Sequence, residues 1–262
     1  MRRSAIFWGS LLILAGVLFL LQNLNIISGN IWSLLWPLLI IAVGIFFLFG
    51  VFSRRSVKAE HVNVPLEGAS RAQLRIRHGA GRLGIRSGAG AGDLLEGDFG
   101  GGLELSSRRD GDVLNTTLSV PSQNFPFWGS WGESLDWSMG IKRDIPLSLD
   151  LETGANESHI DLSDLLVTDL RLKSGASSTN LTMPVGAGFT RADVQTGAAS
   201  VRITIPPGVA AHIRARGGLA SVIINEARFP RMGDGYQSAD YETAANKADL
   251  NIETGVGSID VR

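Results

Sequence analysis

Leu147–Ser163 reads LSLDLETGANESHIDLS, Asp169–Pro184 reads DLRLKSGASSTNLTMP, Arg191–Pro206 reads RADVQTGAASVRITIP, and Ala211–Glu226 reads AHIRARGGLASVIINE. Each piece has alternating apolar positions, a glycine with small neighbours, and a second alternating run. Gly154, Gly175, Gly197 and Gly218 hold one phase, at spacings of 21, 22 and 21 residues. Two further copies, AQLRIRHGAGRLGIRSG from Ala72 and ADLNIETGVGSIDVR from Ala248, carry Gly79 and Gly255 at that phase. Period-two alternation predicts strands with one buried face. Leu149, Leu151, Leu170, Leu172, Val201, Ile203, Ile205 and Ile213 point inward on this reading, and the charged residues point out. A glycine recurring at one phase predicts a tight corner that needs a small residue or a positive φ. Repeats of about 21 residues with no helical periodicity fit stacked coils of a β-solenoid-like domain, in which no coil buries its apolar face alone. A β-sandwich of hairpins is the alternative.

Outward from this block, the N-terminal part has a different character. From Ser4 to Ser53 the sequence has no Asp, Glu, Lys or Arg. One crossing of a roughly 30 Å hydrocarbon core takes about 20 residues, so the run is long enough for two. Apolar spans are expected at about 5–21 and 32–52, joined by the polar, turn-forming QNLNIISGNI. Trp8, Trp32 and Trp36 fall near the expected interfaces. Arg2-Arg3 before an apolar run also resembles a signal peptide, but no small-residue cleavage site follows Leu21 and a second span comes next. The cations Arg2, Arg3, Arg54, Arg55 and Lys58 flank the hairpin and the connector has none, which predicts both ends in the cytoplasm. The expected organisation is a two-helix transmembrane hairpin over 1–58 and an all-β repeat domain over 59–262. The full chain carries a net charge of −1, and all of its acidic residues lie after Lys58, so no basic field points to nucleic acid.

The segment 123–139, QNFPFWGSWGESLDWSM, interrupts the repeat. Phe125, Phe127, Trp128, Trp131 and Trp137 within it read either as a lid on the stack or as anchors for a partner. Gly233–Lys247 is a second, polar interruption, read as a surface loop. Chemical motifs are weak. Gly79–Gly84 matches GxGxxG, yet IRSGAGAGD follows where a dinucleotide fold needs a helix. Gly88–Asp93 is a poor match to calcium-binding nonapeptides. The chain has no cysteine, its four histidines are scattered, and no HExxH or GxSxG occurs. No catalytic, cofactor or metal site is expected, and an enzyme is not expected.

Two stretches together resemble a family. RRSAIFWGSLLILAGVLFLLQNLNII and IWSLLWPLLIIAVGIFFLF are similar to the transmembrane region of bacterial LiaF-type proteins, and the LxLxTGAxxxxIxL coils resemble the toastrack, adhesin-like β-repeat domain that follows such segments. The resemblance implies a membrane-bound regulator or scaffold in envelope-stress signalling, with a sensor histidine kinase or another membrane protein as partner beside the lipid bilayer. LiaF itself has four spans rather than two and lacks the Trp-rich insertion. An extracytoplasmic adhesion or binding module is the competing reading, and it requires the opposite orientation.

Overall fold

The computed structural model describes Trp36, Pro37 and Ile40, which are helical, and residues 59–121 and 135–262. The rest of the expected membrane hairpin lies outside the described residues, among which no helix is long and apolar enough to cross a membrane. The described β residues belong to one compact unit.

In chain order the strands are β1 (Glu60–Pro65), β2 (Arg71–Ser87), β3 (Asp93–Phe99), β4 (Glu104–Asp110), β5 (Val113–Ser119), β6 (Trp137–Ile141) and β7 (Pro146–Asp161). β8 (Leu166–Thr182), β9 (Phe189–Thr204), β10 (Ala210–Ile224), β11 (Arg231–Met232), β12 (Gly235–Gln237) and β13 (Lys247–Val261) follow. The sheet order is β1-β3-β6-β2-β7-β8-β9-β13-β10-β12-β11, with β5 beside β2 and β4 beside β5. The six long strands β2, β7, β8, β9, β13 and β10 pair in parallel, which short hairpins cannot produce. The all-β expectation holds, and the repeats stack as parallel coils.

Each long strand is bent. The 16 residues of β7 would extend about 53 Å if straight. The connector Leu162–Leu165 reaches only about 14 Å, so the strand must fold back to bring its end near the start of β8. The fold lies at the glycine. Before it, Leu147, Leu149 and Leu151 are buried; after it, Asn156, Ser158 and Ile160 are buried. The buried parity switches at the corner, and this keeps both arms facing one core. All eight residues expected to point inward are buried.

The corner glycines stack on one another. A Cβ at Gly175 would sit 3.1 Å from the Gly154 carbonyl oxygen, at Gly197 2.7 Å from that of Gly175, at Gly255 2.7 Å from that of Gly197, and at Gly218 2.8 Å from that of Gly255. Gly154 in turn abuts the Gly79 carbonyl. None of these six has a positive φ; that feature belongs to their neighbours Gly81 (φ 106°) and Gly257 (φ 131°). Close approach between coils, not backbone conformation, therefore requires glycine at the repeated phase.

The order of the stack corrects the linear reading of the repeat. The C-terminal copy does not follow the Gly218 coil but inserts as β13 between β9 and β10. The polar interruption Gly233–Lys247 is also more than a surface loop. It contains β12, which pairs with β10 at His212 and Ile213, and Ser238 accepts a hydrogen bond from the Ala211 amide at 2.8 Å. The GxGxxG match lies inside β2, where the strand continues through its corner to Ser87.

Candidate functional site

Parallel, in-register stacking sets equivalent positions side by side across the sheet. Four residues before each corner glycine this gives Arg75, Asp150, Arg171, Asp193, Asn251 and Arg214 in spatial order. Two residues before it the row is Arg77, Glu152, Lys173, Gln195, Glu253 and Arg216. Cations and anions alternate from Arg75 to Asp193 and from Arg77 to Lys173, after which an anion and an amide stand side by side, Asp193 with Asn251 and Gln195 with Glu253, before the last arginine. Neighbouring strands lie about 4.8 Å apart. Copies with identical charges would therefore repel along the whole row, by about 0.9 kcal/mol per neighbouring pair even at the dielectric of water.

Three neighbouring pairs within the rows are in contact, and a further cluster lies beside them. Arg75 Nε donates to Asp150 at 2.9 Å, and Arg77 Nε lies 3.2 Å from Glu152. Asn251 donates to Asp193 at 3.2 Å, and Asp249 meets His212 at 3.1 Å and Arg214 at 3.4 Å. Two of the grooves that the rows line lie on the outer face of the first arm. One, of about 570 Å³, runs from Asn115 and Thr117 of β5 across Arg75, Asp150 and Arg171 to Asp193. The other, of about 280 Å³, lies between Asp193, Arg214 and Glu253. The second Asp150 carboxylate oxygen and Arg214 Nε are buried without a hydrogen-bond partner among the described residues. Partly exposed ion pairs contribute only about 0–1 kcal/mol each, so the apolar core holds the stack and the rows set the pattern it displays.

On the second arm, Asp260 accepts from Arg262 at 2.6 Å and from Arg202 at 3.4 Å, and these guanidiniums hold its carboxyl below the usual carboxylate range. Near the β2 corner, Arg82 pairs with Asp136 at 2.6 Å, and this bond raises the guanidinium pKa further. No group of three or more His, Asp or Glu among the described residues is arranged to hold a metal ion.

The structure assigns the sequence-predicted site residues as follows. Trp137 is not a surface anchor: it is 1% exposed, stacks edge-on to Phe99 with ring centroids 5.2 Å apart, and donates from Nε1 to the Gly100 carbonyl at 3.1 Å. It opens β6, where Trp137, Met139 and Ile141 alternate inward. Burial of a large ring with a satisfied indole N–H makes it core. Phe125, Phe127, Trp128 and Trp131 lie outside the described residues, as do Arg2, Arg3, Arg54, Arg55 and Lys58. The corner glycines Gly79, Gly154, Gly175, Gly197, Gly218 and Gly255 come together in one column. The charged rows went unread in the sequence, although aligning the repeats on their glycines places each row at a fixed offset.

Comparison with known proteins gives two family matches and one structural likeness. Residues 53–204 match the N-terminal domain of toast_rack, and residues 6–48 match the LiaI-LiaF-like transmembrane region. The second match makes the chain a membrane protein. A crystal structure from Clostridium sporogenes, described as that of a candidate cell adhesion protein, superposes with a TM-score of 0.71 at 22% identity. The likeness covers 78% of this chain and 98% of that one, and it establishes the shared fold alone. No curated protein matches the chain.

Proposed function

The chain belongs to the toast_rack family, and from that premise we propose that it is a non-enzymatic, membrane-anchored regulator or scaffold acting through protein contacts in bacterial cell-envelope stress signalling. The observation that carries this reading is the face of mixed cations and anions on a stack of parallel coils that follows a membrane region. A fixed pattern of cations and anions selects partners by complementarity and penalises wrong ones. The partner in this reading is a sensor histidine kinase or another membrane protein, restrained by the scaffold. The hairpin crosses twice, at 5–21 and 32–52, with both ends cytoplasmic under the bias of Arg2, Arg3, Arg54, Arg55 and Lys58.

The test is genetic. Deleting the gene should raise an envelope-stress reporter, and restoring the wild-type chain should lower it. A chain with Arg171→Glu and Lys173→Glu, made to the same level in the membrane, should fail to lower it. An unchanged reporter in the deletion strain would refute the regulatory role; full restoration by the double variant would refute the charged face. A second reading, an adhesion or binding module outside the cytoplasm, is favoured by the fold likeness to the Clostridium sporogenes protein. A C-terminal reporter active only in the cytoplasm separates the two, being active in the first and silent in the second.

A further inference from the structure

Among the described residues the two ends of the stack of long strands differ. At the β2 end the second arm is covered by β6, which pairs with Leu83–Ser87. At the far end β10 pairs with β13 along its whole length, yet on its other side only His212 and Ile213 have a partner, in β12. From Arg214 to Ile224 that side of β10 has no neighbouring strand among the described residues.

This edge lacks the usual protection. Lysine, proline or a bulge normally blocks an exposed edge from pairing with another chain. Here Gly217–Ile224 reads GGLASVII, with no charge and no proline. Leu219 is 81% exposed and Ile223 60%, and Val256 of β13, beside Leu219, is 52% exposed. On the inner face Val222 and Ile224 pair with Ile259 and Val261, which are fully buried, so the core itself runs out to an unfinished edge.

The run is complementary to itself. An antiparallel pairing centred on Ser221 sets Leu219 against Ile223 of the other copy on the outer face. On the inner face it sets Ala220 against Val222 and Gly218 against Ile224, small against large. Arg216 at one end and Glu226 at the other, neither in an ion pair among the described residues, then approach their opposites. Centring on Ala220 would instead set Arg216 against Ile224. Centring on Val222 would set Ile223 against Ser221. We propose that a second copy of this chain pairs antiparallel along β10 with its two-fold axis at Ser221, joining two stacks into one continuous sheet. This inference stands on the β10 edge alone and is independent of the regulatory reading.

Because the chain has no cysteine, one substitution tests the geometry. Residues directly opposed in an antiparallel pair have Cα atoms about 4.5–5.5 Å apart, within the range a disulfide spans. Ser221→Cys in the full chain, in detergent micelles under mild oxidation, should therefore link to a dimer. Ser258 lies opposite Ser221 on β13, so across the proposed axis its Cα would be about 14 Å from its own copy. Ser258→Cys should stay monomeric. Adding Leu219→Lys and Ile223→Lys to Ser221→Cys should abolish the link while leaving the chain folded by circular dichroism, since both side chains are exposed in the single chain. Linking of Ser221→Cys no faster than of Ser258→Cys overturns the proposal, as does a link that survives the two lysines. Light scattering should give a dimer for the wild-type chain and a monomer for the lysine pair; a wild-type monomer counts against it.

Discussion

The glycine column makes a graded and specific prediction. Ordinary van der Waals contact begins near 3.4 Å. An alanine Cβ at Gly197 would fall about 0.7 Å short of that from the Gly175 oxygen, and at Gly175 about 0.3 Å short from the Gly154 oxygen. Neither glycine has a positive φ, so alanine meets no backbone penalty and the cost is the clash alone. Overpacking of this kind costs about 1–3 kcal/mol. Against it stands a gain of about 0.4–1 kcal/mol from stiffening the unfolded chain. Gly197→Ala should therefore lose about 1–2 kcal/mol, a fall of about 2–8 °C in melting temperature for a domain this size. Gly175→Ala should change stability by less than about 1 kcal/mol, since its neighbour needs to yield only slightly. Gly186, with nothing within 4 Å of its Cβ position, is the control, and Gly186→Ala should be neutral or slightly stabilising. Thermal unfolding of the full chain in detergent micelles, followed by the circular dichroism of its strands, measures all three. Equal losses at Gly197 and Gly175, or a loss at Gly186 as large as at Gly197, would show that the coils do not abut through these glycines.

The remaining predictions concern the core. Leu172 is fully buried, so Leu172→Asp should remove several kcal/mol, whereas Thr153→Ala, which gives up only a 3.5 Å bond to the Lys173 carbonyl, should cost far less; equal urea midpoints would contradict the inward assignment. Trp137→Ala should cost about 3–5 kcal/mol, and Trp137→Phe less, since a smaller ring still fills part of the space against Phe99 but loses the bond to Gly100; a near-neutral Trp137→Ala would return this ring to the surface. His78 is buried against Trp137, donates from Nε2 to the Leu135 carbonyl at 2.6 Å and leaves Nδ1 unpaired, and burial lowers its pKa below 6.5. As pH falls below about 6.5 the unfolded chain takes up this proton before the folded one does, so stability should drop by up to about 1.4 kcal/mol per pH unit until the lowered native pKa is reached. His78→Gln should flatten that part of the urea-midpoint profile between pH 7 and 5; an unchanged slope would clear His78 as its source.

What was legible in the sequence follows from what repeats. The inward faces could be read because a half-buried strand imposes period two on each arm, and Leu149, Leu172 and Ile203 keep it. The corners could be read because only glycine tolerates a carbonyl this close, and every coil needs it. Trp137 was misplaced because it was grouped with four aromatics upstream, when WSMGI already shows the alternation of a strand. The charged rows were hidden for another reason. They are a relation between coils, and no single copy reveals that its arginine faces an aspartate in the next.

The position of β13 shows where such reading stops. Charge does not decide it: Asp193 would stand opposite Arg214 if β9 and β10 were neighbours, and with β13 between them Asn251 stands between the two and donates to Asp193. The apolar faces do distinguish the alternatives. Leu250, Ile252, Ile259 and Val261 of β13 are all fully buried, as an interior coil requires, whereas β10 carries Leu219 and Ile223 on an exposed side. Chain length permits the insertion. The connector 205–209 has to cross two strand spacings, about 10 Å, and five residues reach about 17 Å. The return runs through 225–246, and Gly233–Lys247, read from the sequence as an interruption, belongs to a fixed excursion. Phe229 is buried, and Arg228 donates to the carbonyls of Ile205, Pro206 at 2.6 Å and Val209 at 2.9 Å, tying the excursion to the connector it must bypass. The polar stretch without a repeat is therefore what allows the last repeat to leave its place in the linear order and complete the core between two earlier coils.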